Sequence, residues 1–578
     1  MKVHKRVALI ATLLLWLVAC KHKKSTTTPN PQVINNEVAM NVADIVAVTV
    51  NNSGKLTPTL QLGYPNEVKQ FYDNNGNNAV WSKRNKFNKQ GIELLQFISQ
   101  SMNYGLFPED YYNKALINYQ NLLSDTAKAN KQTILAQADL LLTDAYVKIA
   151  HDLKVGRLSK DSLTITADTA LKINYYVDVL NKALKSGDIV LNLQQQEPKH
   201  TKYKALKAAL PAFLQTMDTK QYSYIVYPNK DSMQLVKQVT KRLFEAGVIT
   251  QIPENIDSAF YTKMVLKYQI SKSIKQTGKV NVEMAKALNT SPWYQFKRIA
   301  ATLDKYKTLA KTMPETYVWV NLPSFKMQVV NHDTTVIESK VIVGKVANKT
   351  PELNSEISNI VLYPTWSVPY SIAIKEMLPI AKRNPGYFAK RGFKVFNSRG
   401  KQVNPYSVNW SKYSKTVPFN FRQNEGGGNA LGVIKFNFEN PFSVYLHDTN
   451  QRYMFERTYR ALSHGCVRVQ LWDSVARYLI AQSRAYYPEY EVVNRDSITL
   501  TNDTITLSKT YLRDSAFIIA DSLKRYMAKK KNMALLMSKR IPIFIRYYGC
   551  DTSDGKIVFY DDIYAEDKQV IDQFFAKK

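Results

Sequence analysis

The sequence predicts an α+β multi-domain protein with a helical scaffold, a small three-helix module and a β-rich domain that carries an inserted lid. Its 578 residues exceed one domain of roughly 100–200 residues, so several modules are expected. The composition, 45% hydrophobic and 22% charged, is that of globular domains with real cores. Helical periodicity in the first half gives way, after Pro314, to apolar runs rich in Val and Ile.

The first twenty residues resemble a bacterial lipoprotein signal. A basic start precedes a short apolar run, and Leu17-Val18-Ala19-Cys20 is similar to a lipobox, in which the cysteine is lipidated after cleavage. An uncleaved N-terminal anchor is the alternative. Both predict a cell-envelope, periplasmic location at a membrane, and the lipobox resemblance implies Cys20 as the lipidation site. Residues 21–60, rich in Ser, Thr, Pro and Asn at their start, are predicted to form a tether.

Residues 61–228 show the periodicity of a helical scaffold domain. The clearest apolar stripe repeats at steps of three and four and ends before Gly156; its members are Leu135, Ala138, Leu142, Ala145, Ile149 and Leu153. A second helix is expected through Ile92, Leu95, Ile98 and Met102. Such stripes are typical of core, and no catalytic residue is predicted here.

Residues 229–291 predict three short helices, the last over Val282 to Asn289. The segment resembles the small peptidoglycan-binding module, although Thr277-Gly278 stands where that family has Asp-Gly before its last helix. Glycan binding and a purely structural role both remain open for it.

Residues 315–505 are predicted to form the β-rich domain, with a lid at about 371–418, where Pro, Lys, Tyr and Asn are frequent. A Lys-rich helical insertion is expected at 506–540 and a closing hairpin at 541–565.

The net charge of +32 favours anionic surroundings, or it simply solubilises the surface. The sequence has no zinc-finger spacing, RNP-like aromatic motif or Arg-rich helix, so nucleic acid is not an expected partner.

The chemistry is predicted at residues 444–469, which contain one cysteine and two histidines. A cysteine attacks carbonyls as a thiolate and needs a nearby base or cation. Gly465 before Cys466 lets the backbone approach a substrate and form an oxyanion hole. His447 ends a predicted strand, whereas His464 is two residues from Cys466 on the same side of an extended chain. Spacing alone does not choose between the two histidines. Cys550 is expected to be buried and inert.

The string SVYLHDTNQRYMFERTYRALSHGCVRV resembles the signature of the YkuD-type L,D-transpeptidases, in which a histidine precedes an S-H-G-C block by about nineteen residues. Further likeness to the large, multi-domain YcbB-like members lies at TPELNSEI, YPTWSVPYSIAIKE, RNPGY and LLLTDAYVKIAHDLKVGRL. The resemblance implies that Cys466 is the nucleophile and His447 its base. It places Ser463, His464 and Gly465 at the nucleophile turn and Arg468 at a substrate carboxylate; Arg468 paired with a surface acid is the alternative. Tyr445 is a candidate cleft contact.

The implied function is 3→3 cross-linking of peptidoglycan stem peptides through a cysteine acyl-enzyme, with no metal or organic cofactor and with acylation by carbapenems. Alternatives are a hydrolase or protein-to-wall ligase of the same fold, and a catalytically silent peptidoglycan-binding scaffold.

Overall fold

The computed structural model describes residues 31–124, 130–159, 163–165, 173–218, 220, 222–272, 274–484, 500–501, 504–505 and 523–575. The described chain divides into two compact units. One comprises the chain up to Gln100, Pro108–Ala150 and Lys172–Gln195. The other comprises Ser101–Phe107, His151–Leu171 and the chain from Gln196 onward. The predicted class, a helical scaffold followed by a β-rich domain, is confirmed.

The first unit is helical. Its α-helices, the fifth of which runs on past Ala150, are Pro31–Asn51, Pro65–Asn74, Lys89–Ser99, Asn113–Ser124, Lys131–Lys154, Ile173–Ser186 and Ile189–Gln194. A two-stranded hairpin, Ser82–Lys83 with Lys86–Phe87, lies between the second and third helices. Every member of the predicted stripe from Leu135 to Leu153 is buried. The second stripe is confirmed only in part, because Ile92 is exposed and the inward face is Leu94, Leu95 and Ile98.

The tether prediction is wrong from Pro31 onward. A 21-residue helix begins there, and its Val42, Val46 and Thr49 are buried. The valines from Val42 to Val50 recur at helical spacing, so the helix has one apolar face that packs inward. This pattern determines the local structure even though the residues before it are polar. Residues 21–30 lie outside the described residues.

Buried Asp139 holds the hairpin of the first unit against the helix Lys131–Lys154. Its carboxylate accepts hydrogen bonds from the Tyr72 hydroxyl at 2.9 Å, the Val80 amide at 2.8 Å and the Ser82 hydroxyl at 3.0 Å. Burial raises the pKa of Asp139 to about 6, and these hydrogen bonds oppose the rise. A single acidic side chain therefore organises the local fold.

The second unit contains the three-helix module and the β-rich domain. The module helices are Ser232–Glu245, Ser258–Ser271 and Val282–Asn289, and the last has the bounds expected from the sequence. Asp231, Asp257 and Asn281 cap their N-termini by accepting hydrogen bonds from backbone amides. Other helices in this unit are Thr201–Thr216, Pro292–Tyr306, Trp472–Arg484 and Glu566–Phe574.

Helix Pro292–Tyr306 contributes to three ion pairs with buried carboxylates. Asp304 accepts from Arg157 at 2.8 Å and from Lys307 at 2.7 Å. Burial alone would raise the pKa of Asp304, but the two cations hold that pKa below its usual value. Arg298 pairs with Asp567 at 2.7 Å, which ties the helix to Glu566–Phe574.

The β-rich domain is a sheet of nine strands. They are β1 Thr316–Asn321, β2 Lys326–Asn331, β3 Thr334–Gly344, β4 Leu353–Leu362, β5 Ile434–Phe438, β6 Leu446–His447, β7 Ala461–Ser463, β8 Val467–Val469 and β9 Met533–Arg546. The strand order is β7-β3-β8-β6-β5-β4-β9-β1-β2, and β2 also pairs with β3, so the sheet closes on itself. Alternate strand residues fill one apolar core, among them Val318, Met327, Val343, Ile360 and Phe436.

Strand β9 differs from the sequence prediction. It begins at Met533, within the stretch predicted as a Lys-rich helical insertion, and pairs antiparallel with β4 and parallel with β1. The predicted closing hairpin is instead formed by Cys550–Ser553 and Lys556–Phe559. Lys529, Lys530 and Lys531 lie just before the strand, and Lys539 and Arg540 interrupt its apolar residues, so the sequence does not show a continuous strand pattern. Residues 506–522 lie outside the described residues.

The predicted lid is a small folded subdomain that extends beyond 371–418. Short strands Trp366–Ser367, Phe393–Asn397, Gln402–Val403 and Phe419–Gln423 form its own sheet. Helical turns span residues 370–383, and helix Gly386–Lys390 follows. Phe388, Trp410 and Phe421 stack in a separate core. The lid is therefore a packed element, although its sequence shows only weak periodicity.

Candidate active site

The candidate site lies where three adjacent barrel strands bring a row of side chains to one face. Lys435 on β5 lies directly opposite His447 on β6, and His447 lies directly opposite Arg468 on β8. Directly opposed residues on paired strands project to the same side of the sheet. A histidine is thus flanked by two cations.

Cys466 precedes β8 by one residue and lies on the same side as Arg468, two positions further on. Its thiol is partly accessible and approaches the Ser443 carbonyl at 3.8 Å. The Tyr445 side chain hydrogen-bonds with Cys466 and with Trp366 of the lid. The Tyr445 ring is 5.6 Å from the His447 ring, centroid to centroid. Tyr445 therefore contacts both the thiol and the His447 ring.

The turn before Cys466 is held by hydroxyl groups. Ser463 Oγ donates to the Cys466 carbonyl at 2.6 Å and accepts from the Gly465 amide at 3.1 Å. Thr350 Oγ1 donates to the Gly465 carbonyl at 2.7 Å and accepts from the Gly344 amide at 2.8 Å. Gly465 has φ of +124°, a backbone conformation that favours glycine. The turn is rigid, and its Gly465 amide is already occupied by Ser463.

His447 is almost fully buried, with 4% of its surface exposed. Burial lowers its pKa to about 3, and the positive charges of Arg468 and Lys435 act in the same direction. Its Nδ1 makes no hydrogen bond within the part of the chain that the structure describes. Hydrogen bonds of the ring with the Asp448 and Leu431 backbones oppose this lowering of the pKa, and the imidazole is neutral at physiological pH.

The environment of Cys466 combines opposing effects. Burial raises the pKa of its thiol, while hydrogen bonds from Tyr445 and the charges of Lys435 and Arg468 counteract that rise. Lys435 Nζ lies 4.1 Å from the centroid of the Tyr445 ring. Two cations therefore act on the thiol, and neither is the histidine.

Arg468 is held by neutral groups. Its Nη1 donates to Gln451 Oε1 at 3.0 Å and approaches Thr449 Oγ1 at 3.4 Å, and its Nε is buried without a hydrogen-bond partner among the described residues. The predicted alternative, a pair with a surface acid, has no counterpart among these contacts.

His464 faces the lid. Its Nε2 lies 2.5 Å from Glu376 Oε1, in the helical turn Ala373–Met377. Both side chains are partly exposed. The lid and the nucleophile turn are thus joined by one polar contact.

The structure brings together seven of the predicted site residues, namely Tyr445, His447, Ser463, His464, Gly465, Cys466 and Arg468. Cys20 lies outside the described residues. Cys550 is fully buried, as expected, and burial raises the pKa of its thiol to about 12. Sequence reasoning missed Lys435, whose signal was a charged residue within the apolar strand LGVIKFNF. It also did not single out Thr350 and Glu376, although they lie in TPELNSEI and YPTWSVPYSIAIKE, two of the strings that carry the family resemblance.

Two parts of the chain match known protein families. Residues 66–210 match the family model described as a scaffold domain, and residues 315–484 match the YkuD model, described as an L,D-transpeptidase catalytic domain. The chain is thus a multi-domain protein whose β-rich part is similar to the catalytic domain of the YkuD L,D-transpeptidases.

One relative is a protein of Haemophilus influenzae named "Putative L,D-transpeptidase". The two are 31% identical over 253 residues, which cover 44% of this chain and 45% of the relative. The chain thus spans less than half the length of the relative it matches. Among the described residues, no helix is both long and apolar enough to cross a bilayer.

Proposed function

We propose that the chain cross-links peptidoglycan stem peptides as an L,D-transpeptidase, through an acyl-enzyme on Cys466. The observation that supports this most directly is the alignment of Cys466, His447, Lys435 and Arg468 on one face of the closed sheet. A partly accessible thiol beside a neutral imidazole and two cations has the groups that acyl transfer requires. The family match of residues 315–484 favours the same reaction class.

In the first step, the Cys466 sulfur attacks the carbonyl carbon of the third residue of a donor stem. His447 takes the thiol proton and then gives it to the amine of the terminal residue as the carbon–nitrogen bond breaks. The side-chain amine of a second stem then attacks the thioester, forms the 3→3 amide bond and frees the thiol.

His447 is the better candidate for the base. His464 is engaged by Glu376, whereas the Nδ1 of His447 is open to a proton. We assign His464 to the lid contact. Because Ser463 occupies the Gly465 amide, the oxyanion role predicted for this turn falls to the other amides near Cys466.

The two cations of the row have separate roles in this proposal. The positive charge of Lys435 favours the thiolate form of Cys466. Arg468, which has a buried nitrogen open to a partner, holds a carboxylate of the stem peptide. Tyr445 lines the cleft beside the thiol.

Incubation of the purified chain with disaccharide-tetrapeptides, followed by mass spectrometry, tests the reaction. A cross-linked dimer with loss of one terminal residue is expected. A product that consists of tripeptide alone would identify a hydrolase, and unchanged substrate would identify a catalytically silent scaffold. Either result contradicts the proposal. Cys466→Ala abolishes the reaction, whereas Cys550→Ala, a change at the buried second cysteine, leaves it intact.

The same thiol is proposed to react with carbapenems, which are acyl donors. Intact-mass spectrometry should show one adduct on the native chain and none on Cys466→Ala. An adduct that persists on the variant would exclude Cys466 as the site.

We further propose a periplasmic enzyme that is held at a membrane by lipid on Cys20. Cys20→Ser should move the protein from the membrane fraction to the soluble fraction. Retention at the membrane would show that the apolar segment Val7 to Val18 is itself the anchor.

A further inference from the structure

The three-helix module contains a cavity of about 400 Å³ between its first two helices and the segment that follows its third. This volume is within the range of small-molecule sites. Three basic residues line the cavity, namely Arg242, Lys267 and Lys272, and none of its lining residues is acidic. The cavity is therefore positively charged.

Arg242 is the buried member of this set, with 5% of its surface exposed. Its Nε donates to the Leu288 carbonyl at 2.9 Å, and its guanidinium carbon lies 3.9 Å from the centroid of the Tyr222 ring. Its Nη1 has no hydrogen-bond partner in the described part of the chain. A buried cation with an unsatisfied donor is costly unless an anion compensates it.

No acid of the module fills that role. Glu245 attracts Arg242, but its two oxygens already accept from the Ser223 amide and the Ser223 hydroxyl, both at 2.6 Å. Asp218 accepts from the Tyr222 hydroxyl instead, also at 2.6 Å. Leu288 and Tyr222 thus fix the guanidinium in place, while its buried Nη1 has no hydrogen-bond partner among the described residues.

The remaining cations stand at the cavity rim. Lys267 Nζ donates to the Val248 carbonyl at 2.8 Å, and both Lys267 and Lys272 are exposed. Buried Tyr268 completes the wall beside Arg242. A guanidinium at the base with two ammonium groups at the entrance is suited to a planar anion that can take paired hydrogen bonds.

We propose that this cavity is a carboxylate-binding site, with Arg242 as its principal ligand-binding residue and Lys267 and Lys272 as its rim. The carboxylate comes from a peptide C-terminus or from an acidic sugar. This site is separate from the Cys466 cleft, and it stands whether or not the chain is a transpeptidase.

Equilibrium dialysis of the full chain distinguishes the two sources. The probes are N-acetyl-D-alanine and D-glucuronate, each with an uncharged counterpart, N-acetyl-D-alaninamide and glucuronate methyl ester. One acid should bind at least about tenfold more tightly than its counterpart, because the paired charged hydrogen bonds are lost with the carboxylate. Failure of both acids to bind, or equal binding of the uncharged forms, overturns the proposal.

Variants assign the binding to this cavity. Arg242→Met should weaken binding of the acid at least about tenfold, whereas Lys263→Met, at an exposed helix position away from the cavity, should not change it. Native-like binding by Arg242→Met overturns the proposal. If circular dichroism shows that this variant is unfolded, the double variant Lys267→Met/Lys272→Met decides: weaker binding supports the site and unchanged binding refutes it.

Discussion

His464 of the nucleophile turn and Glu376 of the lid are joined by a 2.5 Å contact between Nε2 and Oε1. The contact links an element two residues from Cys466 to a subdomain with its own core. A lid held down over the thioester would keep water from it, so that a second stem peptide reacts instead.

Glu376→Gln should therefore raise the share of hydrolysed product over cross-linked product. The expected rise is about two- to fivefold, because partly exposed ion pairs contribute at most about 1 kcal/mol. Product ratios from mass spectrometry measure it. Glu425→Gln, at an exposed lid residue, is the matched control. An unchanged ratio for Glu376→Gln would mean that the contact does not govern water access.

Lys435→Met should raise the pKa of the Cys466 thiol by about one unit. Alkylation of this thiol by iodoacetamide at pH 7 should then be about tenfold slower. The physical reason is the loss of a cation that favours the thiolate. Lys435→Arg should restore the rate, and Lys415→Met, at an exposed lid lysine, should leave it unchanged. The pH profile of alkylation makes the test independent of any transpeptidase assay.

His447 should make the folded state sensitive to acid. Its folded pKa is about 3, against 6.5 for a free histidine, so between these values the unfolded chain binds the extra proton. The free energy of unfolding should thus fall as pH drops below about 6.5, by up to about 1.4 kcal/mol per pH unit. Urea titrations at several pH values measure the free energy of unfolding. Below that pH, it should fall more steeply with decreasing pH for the native chain than for His447→Gln, and above it the two pH dependences should agree. His332→Gln, at an exposed histidine, should behave as the native chain does.

Thr350→Val should destabilise the turn that carries Cys466. The substitution keeps the shape of the side chain but leaves the Gly344 amide and the Gly465 carbonyl without their partner, at a cost of about 1–3 kcal/mol. Chemical denaturation measures the loss. Thr335→Val, at an exposed strand position, should cost much less. Equal stability of the two variants would show that water replaces the hydroxyl.

The sequence alone predicts the elements whose pattern is local. The stripe of helix Lys131–Lys154, the bounds of Val282–Asn289 and the apolar strands after Pro314 all follow from periodicity. Strand β9 does not, because Lys539 and Arg540 interrupt its apolar residues and its partners β1 and β4 are far away in sequence.

The candidate site shows the same division. Cys466 follows from its chemistry, and the motif spacing predicts His447. Lys435 becomes part of the site only through the pairing of β5 with β6, and Glu376 only through the placing of the lid beside the turn. Cross-strand register and subdomain packing are long-range properties that no single window of sequence contains.

Strand β9 also sets an order of events during synthesis. Strands β1 and β4 leave the ribosome long before Met533–Arg546, the segment that fills the gap between them. Until it arrives, both present unpaired backbone edges, which are prone to add foreign strands. The nascent barrel therefore cannot close until β9 has been synthesised. A pause in translation before residue 546 would lengthen the period during which the edges of β1 and β4 are unpaired.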